Sequence, residues 1–275
     1  MASPQRLKDR AAFILDLLER QGTASYEALA EYLQVSTMTV RRDCEELFRI
    51  GKVIKTIGGV QQAHAPPYLY ESPIRARVAV NRREKGAIAA NAFELIPEDN
   101  TIFIDGGTTN LALAKLIAEQ RSGLTILTNS AMICLELGKG HNTVIGIGGE
   151  FDPATLSFVG LHAEEMAKSF FVEQAFLTTK GFLPADGTYE SAVATFRIKQ
   201  IIAGQAAETI LLADHTKFGQ RALSKVLDIT QIQQIVTDEG TPESELAILR
   251  RAGIRVSVAS LGKVDYPQHA SHTNQ

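Results

Sequence analysis

Val35-Ser36-Thr37-Met38-Thr39-Val40-Arg41-Arg42-Asp43-Cys44-Glu45-Glu46-Leu47 is the stretch on which the reading of the N-terminal region turns. Ser36 is a helix-capping residue type, and Val40, Cys44 and Leu47 follow at i, i+4 and i+7, the spacing of one buried helical stripe. Thr37, Met38, Arg41, Arg42 and Glu45 then point outward. Upstream, Ser25 starts a shorter helical pattern, with Glu27 in its first turn and Leu29 and Leu33 on its apolar side, and the pattern breaks at Gln34-Val35. Leu7, Ala11, Ile14, Leu17 and Leu18 make an earlier helix that stops at Gly22, a favourable C-cap. Two short helices joined by a tight turn, the second presenting two arginines, have helix-turn-helix spacing, in which the second helix enters the major groove.

After Arg49 the pattern changes. Gly51-Lys52-Val53-Ile54-Lys55-Thr56-Ile57-Gly58-Gly59-Val60 alternates β-branched residues with cations between glycines, which predicts a hairpin wing whose basic strand lies along phosphates. The residues expected on DNA are Ser36, Thr37, Met38, Thr39, Arg41 and Arg42 from the helix and Lys52 and Lys55 from the wing. A three-helix bundle used for protein contacts explains the helices but not the wing.

The charge distribution points the same way. Residues 1–85 hold 14 Lys and Arg against 10 Asp and Glu, net +4, whereas 86–275 hold 14 against 21, net −7, within an overall −3. A small polyanion-binding module attached to a larger acidic domain has this signature. The 275 residues suit about two domains, and 45% hydrophobic content supplies their cores. Two cysteines, Cys44 and Cys134, exclude a disulfide framework or a cysteine-rich metal site. No apolar run reaches membrane-spanning length, and charges scattered through the first thirty residues leave no signal-peptide core, so a cytoplasmic location is expected.

His64-Ala65-Pro66-Pro67-Tyr68, with Pro73 soon after, interrupts all periodicity. The domains expected are therefore 1–62, a winged helix-turn-helix; 63–74, a stiff connector; and 75–275, an α/β domain whose last ten or so residues are expected to be disordered. Residues 75–96 predict one helix, basic at its start (Arg75, Arg77, Arg82, Arg83, Lys85), its charges either solvated or on DNA, the former being favoured. Strand patterns at 101–104, 124–128, 143–147, 174–178, 209–213, 234–237 and 254–258 alternate with helical ones, which predicts a largely parallel sheet. In such sheets ligands bind beyond the carboxyl ends of the strands.

Polar residues gather at four of those ends. Asp105-Gly106-Gly107-Thr108-Thr109-Asn110 precedes a helix, and glycines plus free N–H groups at a helix start make an anion cradle. It is no P-loop, since no Gly-Lys-Ser/Thr follows, and Gly146-Ile147-Gly148-Gly149-Glu150-Phe151 fails the dinucleotide pattern at Phe151. Thr128-Asn129-Ser130 and Gly148-Gly149-Glu150 end two further strands. Asp214-His215-Thr216-Lys217 ends a fourth, where Asp214 and Lys217 either hold a sugar hydroxyl and a phosphate or pair with each other at a helix start. Four such ends on one edge describe a pocket for a small anion.

Arg10, Ile14, Leu17, Leu29, Ala30, the Val35–Asp43 string, Leu47, Gly51 and the Gly58-Gly59 pair together resemble the DeoR family of bacterial transcriptional regulators. The likeness extends over about residues 6–258, with departures at Cys44, where the family usually has Leu, and Ile57, where a His often stands. It implies an effector domain folded like sugar-phosphate isomerases that recognises phosphorylated sugars. By that likeness Gly107, Thr108 and Thr109 receive a phosphate, while Asp105, Thr128, Asn129, Gly149, Glu190, Lys199, Asp214 and Lys217 complete the pocket. Lys180, in Thr178-Thr179-Lys180-Gly181, lines the pocket or sits on its rim. The expected protein is a repressor of a sugar or sugar-derivative operon, a homo-oligomer that binds an operator in double-stranded DNA and a phosphorylated sugar, with no cofactor and no metal. The alternative is a sugar-phosphate isomerase-like enzyme, which has no need of residues 1–62.

Overall fold

Ile14 and Leu18 sit one turn apart on the first helix, α1 (Pro4–Gln21), and both are fully buried, as the apolar spacing requires. They pack against Leu29 of α2 (Tyr26–Leu33) and against Val40, Cys44 and Leu47 of α3 (Thr37–Arg49). Ser25 caps α2 by accepting the Ala28 N–H at 3.0 Å, and Gln34 ends it in the left-handed region at φ 49°. Three short strands close the other side of this core: β1 (Thr23–Ser25), β2 (Val53–Thr56) and β3 (Gly59–Gln62), in the order β1-β3-β2, antiparallel. The expected wing is the β2–β3 hairpin, and Gly58, at φ +76°, takes the turn conformation that a side chain disfavours. Strand β1 has only three residues, too few for an alternating pattern to register in the sequence.

A buried ion pair joins α1 to α3. Arg10 of α1 donates Nε to Asp43 Oδ2 at 2.5 Å and a second N–H to Asp43 Oδ1 at 3.1 Å, with Asp43 only 2% exposed. The hydrogen bonds to Asp43 hold the Arg10 guanidinium above its usual pKa. Breaking so buried a bidentate pair strands a carboxylate, so the pair ties α3 to α1.

The computed structural model describes the backbone of residues 4–21, 23–49, 52–56, 58–62, 74–78, 80–191 and 193–263, and it divides into two units, Met1–Tyr70 and Glu71–Gln275. The expected connector, apart from Ile74, and the expected disordered tail lie outside the described residues.

The helix predicted over 75–96 is two helices, α4 (Ile74–Arg77) and α5 (Arg82–Phe93). Asn81 between them is left-handed at φ 50°, a conformation asparagine tolerates and an α-helix does not. Nor is its basic start uniformly solvated, because Lys85 is 6% exposed.

The second unit continues as β4 (Thr101–Ile104), α6 (Thr108–Gln120), β5 (Ser122–Thr128), α7 (Ala131–Leu137) and β6 (His141–Gly146). A hairpin, β7 (Glu150–Asp152) and β8 (Ser157–Val159), leads to α8 (Gly160–Ala167), β9 (Val172–Thr178), β10 (Gly181–Leu183), β11 (Gly187–Glu190) and α9 (Val193–Gln205). β12 (Ala206–Leu212), β13 (Ser224–Asp228), β14 (Gln234–Asp238), α10 (Glu243–Arg251) and β15 (Arg255–Ala259) complete it. Seven strands form one sheet in the order β15-β14-β12-β9-β4-β5-β6, and every pairing in it is parallel. These are the seven strands the sequence patterns predict.

Alternation along each strand feeds two cores. Ile102 and Ile104 join α5, α6 and α7 on one face, while Phe103, with Leu127, Ala175 and Leu177, joins α8 and α9 on the other. A small antiparallel sheet, β10-β11-β13, and the β7–β8 hairpin stand apart from the main sheet.

Candidate functional site

All seven parallel strands deliver their carboxyl ends to one edge, and a cavity of about 300 Å³ opens there. Of the twelve residues expected in an effector pocket, ten line it: Asp105, Gly107, Thr108, Thr109 and Asn129 from the first strand ends, and Lys180, Glu190, Lys199, Asp214 and Lys217 from the later ones. Lys180 therefore contributes to the lining. Thr128 and Gly149 do not. The Thr128 side chain is fully buried and its Oγ1 accepts the Ser130 N–H at 3.1 Å, which shapes the turn beneath the cavity. Gly149 is spent on packing, since a Cβ there would come within 2.6 Å of the Val159 carbonyl oxygen and 2.8 Å of the Ala163 side chain. Thr155 and Ser157, at the β7–β8 hairpin, stand in the lining instead.

The cradle after β4 has a steric basis. Gly107 is the N-cap of α6, and a Cβ on it would lie 2.1 Å from Thr178 Oγ1, so glycine is the residue that fits. The Asn110 side chain donates to the carbonyls of Asp105 at 2.9 Å and Phe176 at 2.8 Å, tying the turn to β9. The first intrahelical bond runs from Leu111 N–H to Gly107 O at 2.8 Å. The N–H groups before it have no intrahelical acceptor, and they carry the positive end of a 13-residue helix dipole.

Behind the cradle lies a buried ion cluster. Lys199 of α9 donates to the Thr178 carbonyl at 2.8 Å, lies 3.1 Å from Asp105 Oδ2 and contacts Glu190 Oε1 more closely still. All three side chains are under 10% exposed. Burial alone would push the lysine pKa down, but Asp105 and Glu190 outweigh it and hold the ammonium charged well above its usual range. Asp105 Oδ2 also accepts the Thr178 N–H at 3.2 Å and its hydroxyl at 2.9 Å.

Asp214 resolves the pairing question raised by its spacing to Lys217. Its Oδ1 accepts the Thr216 N–H at 3.0 Å, the Thr216 hydroxyl and Asn81 Nδ2 at 3.2 Å, so it caps the short turn His215–Lys217. The half-buried Lys217 has no ion pair among the described residues.

Sequence periodicity missed the wall formed by Arg77, Val80, Asn81 and Lys85. The signal was present as Asn81, a break in an otherwise helical run. Burial pushes the Lys85 ammonium down to about 8, with Asp214 opposing the shift and Lys217 and Arg77 reinforcing it. Counted together, five cationic side chains and three carboxylates line the cavity. Asn129 adds a buried Oδ1 with no hydrogen-bond partner. The arrangement suits a small anion with hydroxyl groups. Among the described residues no cluster of His, Cys, Asp or Glu could hold a metal ion, and no helix is long and apolar enough to cross a membrane.

On the first unit, the Ser36 hydroxyl accepts the Thr39 N–H at 3.2 Å and starts α3. Met38, 75% exposed, and the exposed Arg41 and Arg42 stand on the outer face, with Thr37 and Thr39 half-buried beside them. Arg41 rests over the Tyr26 ring, 5.2 Å from its centroid. Lys52 and Lys55 are exposed on and before β2. Lys55 pairs with Glu45 and lies 4.7 Å from the Phe48 ring centroid, so its charge is partly engaged within the unit.

A helix-turn-helix with a wing in one unit and a polar, charge-lined cavity in the other are the parts of a DNA-binding regulator with a sensor domain. The comparisons with known proteins agree: residues 10–65 match the DeoR-like helix-turn-helix domain and residues 80–239 the DeoR C terminal sensor domain. The chain belongs to the DeoR family of transcriptional regulators. It is 32% identical over 256 residues to the uncharacterized HTH-type transcriptional regulator YgbI of Escherichia coli K12, covering 91% of this chain and 97% of that one. The transcriptional repressor AccR of Agrobacterium fabrum is 33% identical over 241 residues, covering 85% and 90% respectively. The glycerol-3-phosphate regulon repressor of Escherichia coli K12 is 31% identical over 238 residues, covering 86% and 92%.

The ion cluster makes a direct stability prediction. Lys199→Met leaves two buried carboxylates without their cation, so chemical denaturation should show a loss of about 3 to 5 kcal/mol. A loss below about 1 kcal/mol would mean that water already reaches Asp105 and Glu190 and that the cluster does not hold β4, β11 and α9 together.

Proposed function

We propose that this regulator represses a sugar or sugar-derivative catabolic operon and that a phosphorylated sugar in the cavity modulates its binding to operator DNA. The observation that carries the proposal is the α6 N-terminus, with its Gly107-Thr108-Thr109 turn, facing a cavity in which cations outnumber carboxylates. The name of the glycerol-3-phosphate regulon repressor, a relative over most of its length, supports a phosphorylated effector. In this reading Gly107, Thr108 and Thr109 receive the phosphate, Lys180 and Lys217 add charge, and Asn129 and Asp214 meet hydroxyls. Asp105, Glu190 and Lys199 support the cradle from behind. Lys199 engages Glu190 and Asp214 caps a turn, which supports a structural part for these carboxylates and a regulatory, non-catalytic role for the protein. It acts in the cytoplasm, where DNA and metabolite meet.

Calorimetry on the full chain tests the effector class. A phosphorylated sugar should bind while the free sugar does not, and Thr108→Asp, which puts a carboxylate where the phosphate sits, should retain DNA binding and lose the response. Equal affinity for sugar and phosphosugar, or a full response by the variant, would assign the turn a structural role.

Arg41 and Arg42 read base edges in this proposal, with Ser36, Thr37, Met38 and Thr39 beside them and Lys52 and Lys55 on phosphates. Losing a bidentate arginine-to-guanine contact costs about 1 to 3 kcal/mol. The double variant Arg41→Ala, Arg42→Ala should therefore stay folded and lose operator binding in a gel-shift titration. Unchanged affinity would move the interface elsewhere.

One winged helix buries little area on DNA, so the second unit is proposed to join copies of the chain and pair the heads on repeated half-sites. Light scattering should give a mass of at least a dimer; a monomeric mass with and without DNA would refute this part.

A further inference from the structure

One wall of the cavity is built by the first helix after the connector. α4 begins at Ile74, close behind the first unit, which ends at Tyr70. Its start is fastened by the Ile74 N–H, which donates to the Ala154 carbonyl at 3.0 Å, and by the Ile74 side chain, 2% exposed. Its end is fastened by Lys85, whose ammonium donates to the carbonyls of Arg77 and Val80, each at 2.7 Å. Arg77, Val80, Asn81 and Lys85 all line the cavity, and Asn81 reaches across to Asp214 and Thr216.

An ammonium has three N–H donors. Two of those on Lys85 are spent on backbone carbonyls, and the third has no partner among the described residues, although the residue is 6% exposed and borders the cavity. A buried donor without an acceptor favours an anion that completes it.

We infer that Lys85 is the residue through which an anion in the cavity fixes α4, its third N–H meeting the anion while the other two keep the carbonyls of Arg77 and Val80. The inference rests on the effector-site reading above and adds how occupancy is passed on. Turning the ammonium away from the carbonyls would strand two acceptors, so the anion tightens the existing clamp and does not open it. Occupancy then stiffens α4 and the turn through Asn81, the part of the second unit nearest in sequence to the DNA-binding unit.

Hydrogen exchange on the full chain, with and without inorganic phosphate, tests this alongside calorimetry of phosphate binding. Phosphate should slow amide exchange at residues 74–78 and 80 about tenfold, the effect of one charge-assisted contact. Lys85→Met should bind phosphate about tenfold more weakly and show no slowing there when saturated. Lys85→Gln, which keeps two N–H donors but no charge, should behave like Lys85→Met in the increment while retaining more protection without phosphate. A purely structural lysine would lower protection in both states and leave the increment intact, which overturns the inference. Wild-type phosphate binding without slowing at 74–78 and 80 overturns it while sparing the effector site, whereas no phosphate binding at all removes both.

Discussion

One ammonium between two carboxylates organises the second unit. Asp105 follows β4, Glu190 ends β11, and Lys199 comes from α9, so three elements meet at a largely buried point. Desolvating a single charge there would be costly, and the opposite charges and the hydrogen bonds to Thr178 offset that cost. The same Asp105 oxygen orients Thr178, and Thr178 is the residue against which Gly107 must be bare. The turn before α6 thus inherits its shape from the ion cluster, in which Lys85 and Lys217, two further cations of the cavity lining, take no part.

The first unit solves a similar problem on a smaller scale. Its core is a handful of aliphatic side chains around Val40, Cys44 and Leu47, and the Arg10–Asp43 pair adds directional constraint to nonspecific burial. Asp43 follows Arg41 and Arg42 directly, yet the three have opposite tasks. The 100° step of a helix turns Asp43 inward to α1 and leaves the arginines on the outer face, next to the exposed Met38. One short string thus holds a buried ion-pair partner and an exposed basic face on different sides of the same helix.

Charge placement separates the two units functionally. On α3 the cations are exposed, where they suit long-range attraction to a polyanion. In the cavity they are partly or wholly desolvated, where a charge is costly unless hydrogen bonds or opposite charges offset its burial. Lys85 illustrates the second regime, since burial depresses its pKa to about 8 while two carbonyls and the nearby Asp214 keep it in place.

The sequence by itself determined the elements whose signals are local. The helix-turn-helix is legible in the i, i+4, i+7 spacing of Val40, Cys44 and Leu47, and the parallel strands in short apolar runs such as Thr101–Ile104, because burial on both faces demands continuous hydrophobicity. Strand ends then pointed to Asp105, Asn129 and Asp214 without any knowledge of strand order. Three-residue strands such as β7 and β8 left no periodic trace, and the break at Asn81 was read through, because an asparagine inside a basic amphipathic run is locally compatible with helix. Tertiary structure alone decided which polar groups meet. Asn81 reaches Asp214 across 133 residues of chain, and Lys85 turns inward to two carbonyls where its helical neighbours suggested solvent. Thr128 and Gly149, each at a strand end, are turned to internal packing. Periodicity reports which face of an element is buried, but the pairing of buried charges is set by desolvation in three dimensions, where sequence separation has no weight.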